Sequence, residues 1–158
     1  MSTKTSHRPA RSNSLGVGRV LVAVYGILAV AATGRSVFQI IDRFEEAPLA
    51  FSLSALSAAV YIVATIALVA PGATWYRVAR LTIGFELVGV LVVGTISVVA
   101  PGLLGLSGIN PFGREATVWS AYGLGYLLIP LVLPVLGLLY LRRRRPAAPD
   151  AVTGDVPA

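Results

Sequence analysis

The sequence predicts an all-α polytopic membrane protein, a four-transmembrane-helix bundle with both termini cytoplasmic. Three observations predict it. Of the 158 residues 56% are hydrophobic and 13% charged, about half the roughly 25% charge of a soluble domain, and mean hydropathy is +0.79. The apolar residues are gathered into four blocks, each near the ~20 residues that a spanning helix needs. The basic residues are distributed unevenly about those blocks, which is how topology is encoded.

The first helix is expected at about 20–41, with Arg35 as its one charge. The second is expected at about 49–70 and the fourth at about 120–141, both without charge, and the third at about 81–100, with Glu86. Lipid offers no partner to open backbone groups, so a helix is the state such segments adopt; strand alternation is absent, which argues against a barrel. Pro48 suits the first turn of helix 2, and Glu45 and Glu46 stand beside that positive helix end. Pro71-Gly72 and Pro101-Gly102 are stop signals, and Thr117 is a candidate N-cap for helix 4. Pro130 and Pro134 fall inside helix 4 and are expected to bend it. The domain plan is a disordered basic cytoplasmic tail over 1–18, a transmembrane domain over 19–142, and a basic then Ala/Pro-rich cytoplasmic tail over 143–158. Lys4–Arg19 followed by Val20–Ala32 resembles a signal peptide with Ala29-Val30-Ala31 as its cleavage site. The apolar stretch continues to Ile41, so an uncleaved first helix is expected.

Ten of the 13 basic residues fall on one side of that plan: Lys4, Arg8, Arg11, Arg19, Arg77, Arg80 and Arg142–Arg145. Arg43 and Arg114 fall on the other. The positive-inside rule places the first side, with both termini, in the cytoplasm of a cell-membrane protein. Trp75, Tyr76 and Tyr140 are expected at the inner aromatic belt, Trp119 and Tyr122 at the outer one. The sequence pI of 10.3 reflects charge beside helix ends, which suits orientation and anionic lipid headgroups better than nucleic acid. Arg142, Arg143, Arg144 and Arg145, with Arg77 and Arg80, are therefore read as topology and lipid anchors.

Two polar residues within the helices form a candidate intramembrane site. Glu86 lies six residues past Arg80, roughly 9 Å beyond that inner anchor, and is expected near the interface. A charged carboxylate there costs several kcal/mol unless paired, hydrated or protonated. It is either a proton or cation site or a structural hydrogen bond to a neighbouring helix. Tyr25, Tyr61, Thr65 and Thr95 are the groups expected to face it if it transports. Arg35 is 16 residues past Arg19, roughly 24 Å along the helix, and is expected to snorkel outward toward Asp42, Glu45, Glu46 or Glu115. Arg35, Gln39 and Asp42 share a helix face. In helix 2, Ser54/Ala58 and Ala55/Ala59 are small-xxx-small pairs, which serve packing within the bundle or a homodimer face. Ile62–Gly72 and Val92–Gly102 match at seven of eleven positions. The outer loop 101–117 carries Phe112, which with Trp119 would form an outer contact surface.

The stretches Gly34–Leu68, Glu86–Val99 and Ala116–Arg144 resemble a small four-helix integral membrane protein family of high-GC actinobacteria. The resemblance implies membrane class and source, and it implies no activity, cofactor or site residue.

The chain has no cysteine and one histidine, His7. Thiol redox catalysis, disulfide frameworks, iron–sulfur clusters and cysteine zinc sites are thereby excluded, as is a bis-His haem supplied by the chain. No cofactor and no metal is expected, and no phosphate loop or inward-facing carboxylate pair points to an enzyme. The leading expectation is a non-enzymatic accessory or structural component acting through lateral helix contacts, on a membrane-protein partner or as a homo-oligomer. The alternative is a small proton- or cation-coupled transporter or channel that uses Glu86.

Overall fold

The computed structural model describes residues 13–108, 110 and 113–144. Among them every regular element is helical and no strand occurs. The long helices are α1 (Asn13–Arg43), α2 (Pro48–Val69), α3 (Ala73–Val99) and α4 (Ile129–Arg143). Short 3-10 turns occupy Phe44–Glu46, Pro101–Leu104 and Ser120–Tyr126.

α1, α2 and α3 contain 31, 22 and 27 residues. At 1.5 Å per residue they extend ~46, ~33 and ~40 Å, each enough for a hydrocarbon core of ~30 Å. α4 has 15 residues, only ~22 Å. Among the described residues three helices are thus long and apolar enough to cross a membrane, and a fourth is counted if Ser120–Tyr126 and α4, bent by 98° at their junction, form one span. The architecture is that of a multi-pass membrane protein.

The distribution of polarity says the same. The buried stripe of α1 runs Leu21, Tyr25, Leu28, Ala32, Ser36, Gln39, while Ile27, Val30, Val37, Phe38 and Ile41 face outward. In α3 the buried stripe includes Glu86 and Ser97, and the exposed face carries Leu81, Phe85, Val88, Val92 and Val99. A helix that is apolar on its exposed face, with its polar groups turned inward, is built for lipid. The helices pack antiparallel in chain order, α1 against α2, α2 against α3 and α3 against α4. Small buried residues on both helices, Ala29 and Ala32 on α1 and Ala50, Ser54, Ser57 and Ala58 on α2, suit the packing of α1 against α2. Only the Ser54/Ala58 pair is spent this way; Ala59 lies exposed and Ala55 half-buried.

Several boundaries differ from those expected, and the differences have causes. α1 begins by Asn13, so residues 13–18 belong to the helix and not to a disordered tail; residues 1–12, with Lys4, His7, Arg8 and Arg11, lie outside the described residues, as do Phe112 and 145–158 with Arg145. α3 begins at Ala73, eight residues before the expected start, and takes in Trp75, Arg77 and Arg80. Apolar character marks where lipid begins, whereas helical hydrogen bonding continues into the polar interface. The two similar segments part company after their last turns: Gly72 takes φ +109° and leads straight into α3, whereas Pro101-Gly102 opens a 3-10 turn.

The largest correction is helix 4, which is not one helix over 120–141. Ala121, Tyr122 and Gly123 adopt φ of 47°, 60° and 79°, and Leu127 and Leu128 adopt 56° and 59°. The regular helix starts only at Ile129, with Pro130 in its first turn. Proline lacks the N–H for a bond to residue i−4 and its ring crowds that carbonyl, so a helix continuing from Tyr126 through Pro130 is disfavoured. Pro130 therefore starts the helix instead of bending it. The left-handed residues are costly for side chains other than glycine. The break is supported by neighbouring groups. Ala121 donates its N–H to Ser97 Oγ at 2.7 Å, Leu128 donates to the Gly123 carbonyl at 3.0 Å, and the Tyr122 and Thr95 hydroxyls are 3.1 Å apart. Irregular backbone at membrane depth is tolerated where protein covers it.

Candidate functional site

Glu86 sits thirteen residues from either end of α3, ~20 Å along the helix from each, at the midpoint of the helix. Ala79, Ile83, Glu86, Val90, Val93 and Ser97 are all buried and recur in alternating steps of four and three, so the helical period itself turns Glu86 into the bundle. The residue is 0% exposed. Water access from one membrane surface is therefore not the solution this fold uses.

The partner comes from α1. Tyr25, also 0% exposed, donates its hydroxyl to Glu86 Oε2 at 2.7 Å. Among the described residues Glu86 Oε1 has no hydrogen-bond partner. The Tyr61 ring of α2 lies 6.3 Å from the Tyr25 ring at a tilt of 52°. The Tyr61 hydroxyl accepts the Trp119 indole N–H at 3.2 Å. Trp119 meets Phe85 edge-on with centroids 6.4 Å apart, and its ring lies so close over Gly89 that a Cβ there would stand 2.8 Å from it. Glu86, Tyr25, Tyr61 and Trp119 thus form one layer drawn from α3, α1, α2 and the segment before the broken span. Of the four groups expected around Glu86, Tyr25 bonds it and Tyr61 adjoins Tyr25. Thr65 instead bonds the Tyr61 carbonyl in its own helix, and Thr95 bonds Leu91 and Tyr122.

Trp119 is the residue whose role was missed. It is 1% exposed and not an outer-belt anchor. The signal is local: Thr117 Oγ1 accepts the Trp119 N–H at 3.1 Å and Ser120 Oγ accepts the Thr117 N–H at 2.9 Å. These bonds wind 117–120 into a turn that carries the indole inward. Thr117 thereby orders a 3-10 turn and does not cap α4.

Arg35 solves its burial differently. Its Nη2 donates to the carbonyls of Gly113 at 2.9 Å and Ala116 at 2.8 Å. One turn on, Gln39 Nε2 donates to the Arg114 carbonyl at 2.9 Å. The shared face of Arg35 and Gln39 is real, but it grips loop backbone and none of the acids expected. Asp42 and Glu46 pair with Arg43 at 3.3 and 3.7 Å, and Glu115 accepts from the Ser107 backbone N–H and hydroxyl at 2.9 Å each. Arg35 and Glu86 belong to separate clusters.

At the opposite end from this loop, Arg77, Arg80, Arg142, Arg143 and Arg144 are all exposed, and Arg144 stacks over Tyr140 at 4.8 Å. Tyr76 donates its hydroxyl to the Leu141 carbonyl at 3.0 Å, fastening α3 to the end of α4. Tyr140 packs on Gly18, where a Cβ would collide with its ring, fastening α4 to α1. Tyr76 and Tyr140 are half-buried and Trp75 exposed. Among the described residues no three His, Cys, Asp or Glu side chains come together as a metal-binding group. No family model, no curated protein and no solved structure matches the chain.

Proposed function

We propose that the chain is a four-span protein of the cell membrane, with both termini cytoplasmic, that acts as a non-enzymatic accessory component through lateral helix contacts. The observation that carries this reading is the closure of Glu86. The bundle's one mid-helix acid has no exposed surface and is tied to Tyr25, as a residue that locks helices together would be. The faces left for other molecules are the apolar outer sides of the four helices. The kinship with small actinobacterial four-helix membrane proteins is proposed on the stretches Gly34–Leu68, Glu86–Val99 and Ala116–Arg144 alone.

Extraction from native membrane into a mild neutral detergent, followed by purification of the full chain, tests the reading. The expected result is a second membrane protein, or a second copy of the chain, at fixed stoichiometry. A chain that is alone in the native membrane and catalyses proton flux in vesicles overturns it. Reporter fusions after Val152 and within 105–113 test the topology: the first is expected to report cytoplasm and the second the outside.

One observation favours the second reading, a small proton- or cation-coupled transporter. Glu86 Oε1 is buried without a partner, and an unpartnered oxygen in the middle of a bundle is costly unless something binds it. Under that reading Glu86→Gln abolishes coupled flux in vesicles while the fold persists. Under the accessory reading it changes no flux.

A further inference from the structure

We infer that the cleft between α3 and α4 at the arginine-rich end is a binding site for a single anionic phospholipid. The inference rests on the reading that these helices span a bilayer, and it adds a specific ligand to the general attraction between basic helix ends and an anionic surface.

The cleft encloses about 470 Å³ and is lined from α3 by Tyr76, Arg80 and Leu87 and from α4 by Val135, Leu139 and Arg142, among others. Its chemistry is ordered along its length. Arg80 precedes Leu87 by seven residues on α3, and Val135 precedes Arg142 by seven on α4. The two helices run in opposite directions, so both guanidinium groups lie at the same end of the cleft, each ~10 Å along its helix from an apolar residue. An anionic phospholipid has the same order: a phosphate at the membrane surface and an acyl chain directed inward. Two arginines on separate helices suit a phosphate diester, because each presents a planar fork of donors to its oxygens.

Among the described residues the two arginines, Arg80 and Arg142, have no acidic partner. The acids described are Asp42, Glu45, Glu46 and Glu115 toward the other end, and Glu86, which is closed off on Tyr25. The cleft floor is fixed from within by the Tyr76–Leu141 hydrogen bond. The site is therefore a gap between two secured helices, charged at one end and apolar at the other.

The test uses the purified full chain in neutral detergent and native mass spectrometry, with palmitoyl-oleoyl phosphatidylglycerol or phosphatidylcholine added. Phosphatidylglycerol is expected to be retained in preference, at one molecule per chain, and inorganic phosphate is expected not to displace it. R80Q and R142Q should each lower retention about tenfold, the loss of a charge-assisted hydrogen bond to the phosphate. R77Q and R143Q remove the same charge outside the cleft and should change it less than twofold. L139W fills the apolar half and should lower retention of phosphatidylglycerol without altering the charge. Arg80, Arg142 and Leu139 are exposed, so these variants leave the packed core intact.

Equal losses from all four arginine variants would reduce the site to bulk charge and overturn the inference, as would unchanged retention in L139W. Lipid retention that appears only after deletion of residues 146–158 would mean that the tail, with Asp150 and Asp155, fills the cleft, and would overturn it as well. The measurement needs no protein partner, so its failure and the failure of the accessory reading are separate results.

Discussion

Glu86 and Arg35 are ionisable residues set into apolar helices, and their surroundings differ in kind. Glu86 meets a side chain, the Tyr25 hydroxyl; Arg35 meets backbone, the carbonyls of Gly113 and Ala116. The difference follows from what each group lacks. A carboxylate needs donors, and inside a regular helix every backbone N–H is already bonded to a carbonyl one turn back. Only a side-chain donor remains, so a mid-helix acid must find a tyrosine or its like. A guanidinium needs acceptors, and carbonyls of irregular backbone are free to accept. The arginine therefore sits where its helix passes a loop, and it orders that loop by binding it. The acid joins helix to helix, while the arginine joins helix to loop.

Substitutions can break or sharpen this contrast, starting with the largest effect. Arg35→Ala removes two charge-assisted hydrogen bonds, worth about 1.5–3 kcal/mol each. It should release the 113–116 segment, read as a rise in amide hydrogen exchange there, with a stability loss on the order of 3 kcal/mol. Arg35→Lys should recover less than half of the protection, because an ammonium is more strongly hydrated than a guanidinium and is costlier to hold in this half-buried place. Unchanged exchange in Arg35→Ala would remove the loop-clamp side of the comparison.

Gly94→Ala is next. Its Cβ would stand 2.6 Å from the Tyr122 ring and 2.9 Å from the Tyr122 backbone nitrogen, inside the left-handed segment that the loop feeds. Overpacking of this kind costs about 1–3 kcal/mol, measurable as a fall in thermal midpoint in detergent. Gly84→Ala, on the same helix with open space around the added carbon, should be neutral or stabilise by about 0.5–1 kcal/mol. Equal effects at the two positions would show that the broken segment does not lie against α3 as described.

The helix-to-helix side is expected to be weaker. A double-mutant cycle of Tyr25→Phe and Glu86→Gln should return a coupling of roughly 0.6–1.7 kcal/mol, the range of hydrogen bonds between membrane helices. A coupling of zero would leave Glu86 without the partner assigned to it. Smallest is Tyr61→Phe, which deletes the hydroxyl that accepts the Trp119 indole N–H and should cost about 1 kcal/mol, read as a small fall in thermal midpoint in detergent.

Part of this was legible in the residues before any coordinates. The common face of Arg35 and Gln39 follows from their spacing, and Tyr25 was among the groups expected to reach Glu86. The acids expected around Arg35 were not the answer. Sequence spacing says which groups share a face but not which distant backbone comes to meet them. The expected start of helix 3 follows the first uncharged residues after Arg80, which mark the apolar boundary and not the end of helical hydrogen bonding. The helix in fact takes in Trp75–Arg80, since polar residues remain helical wherever water satisfies their side chains.

The sequence by itself determined the membrane class, the apolar outer faces, the positions of α1, α2 and α3 to within a few residues at most ends, and the Pro-Gly stops. These are properties of composition and of a 3.6-residue period, both local quantities. Tertiary structure decided the fourth span, the burial of Trp119 and the choice of partners for Glu86 and Arg35. Hydropathy over 120–141 is that of a helix, yet Ala121, Tyr122 and Gly123 turn left-handed. Ser97 and Thr95 of α3 wait to bond that turn, and Gly94 leaves room for Tyr122. An irregular backbone in lipid is stable only where protein supplies its missing partners, and those partners lie more than twenty residues away in the chain.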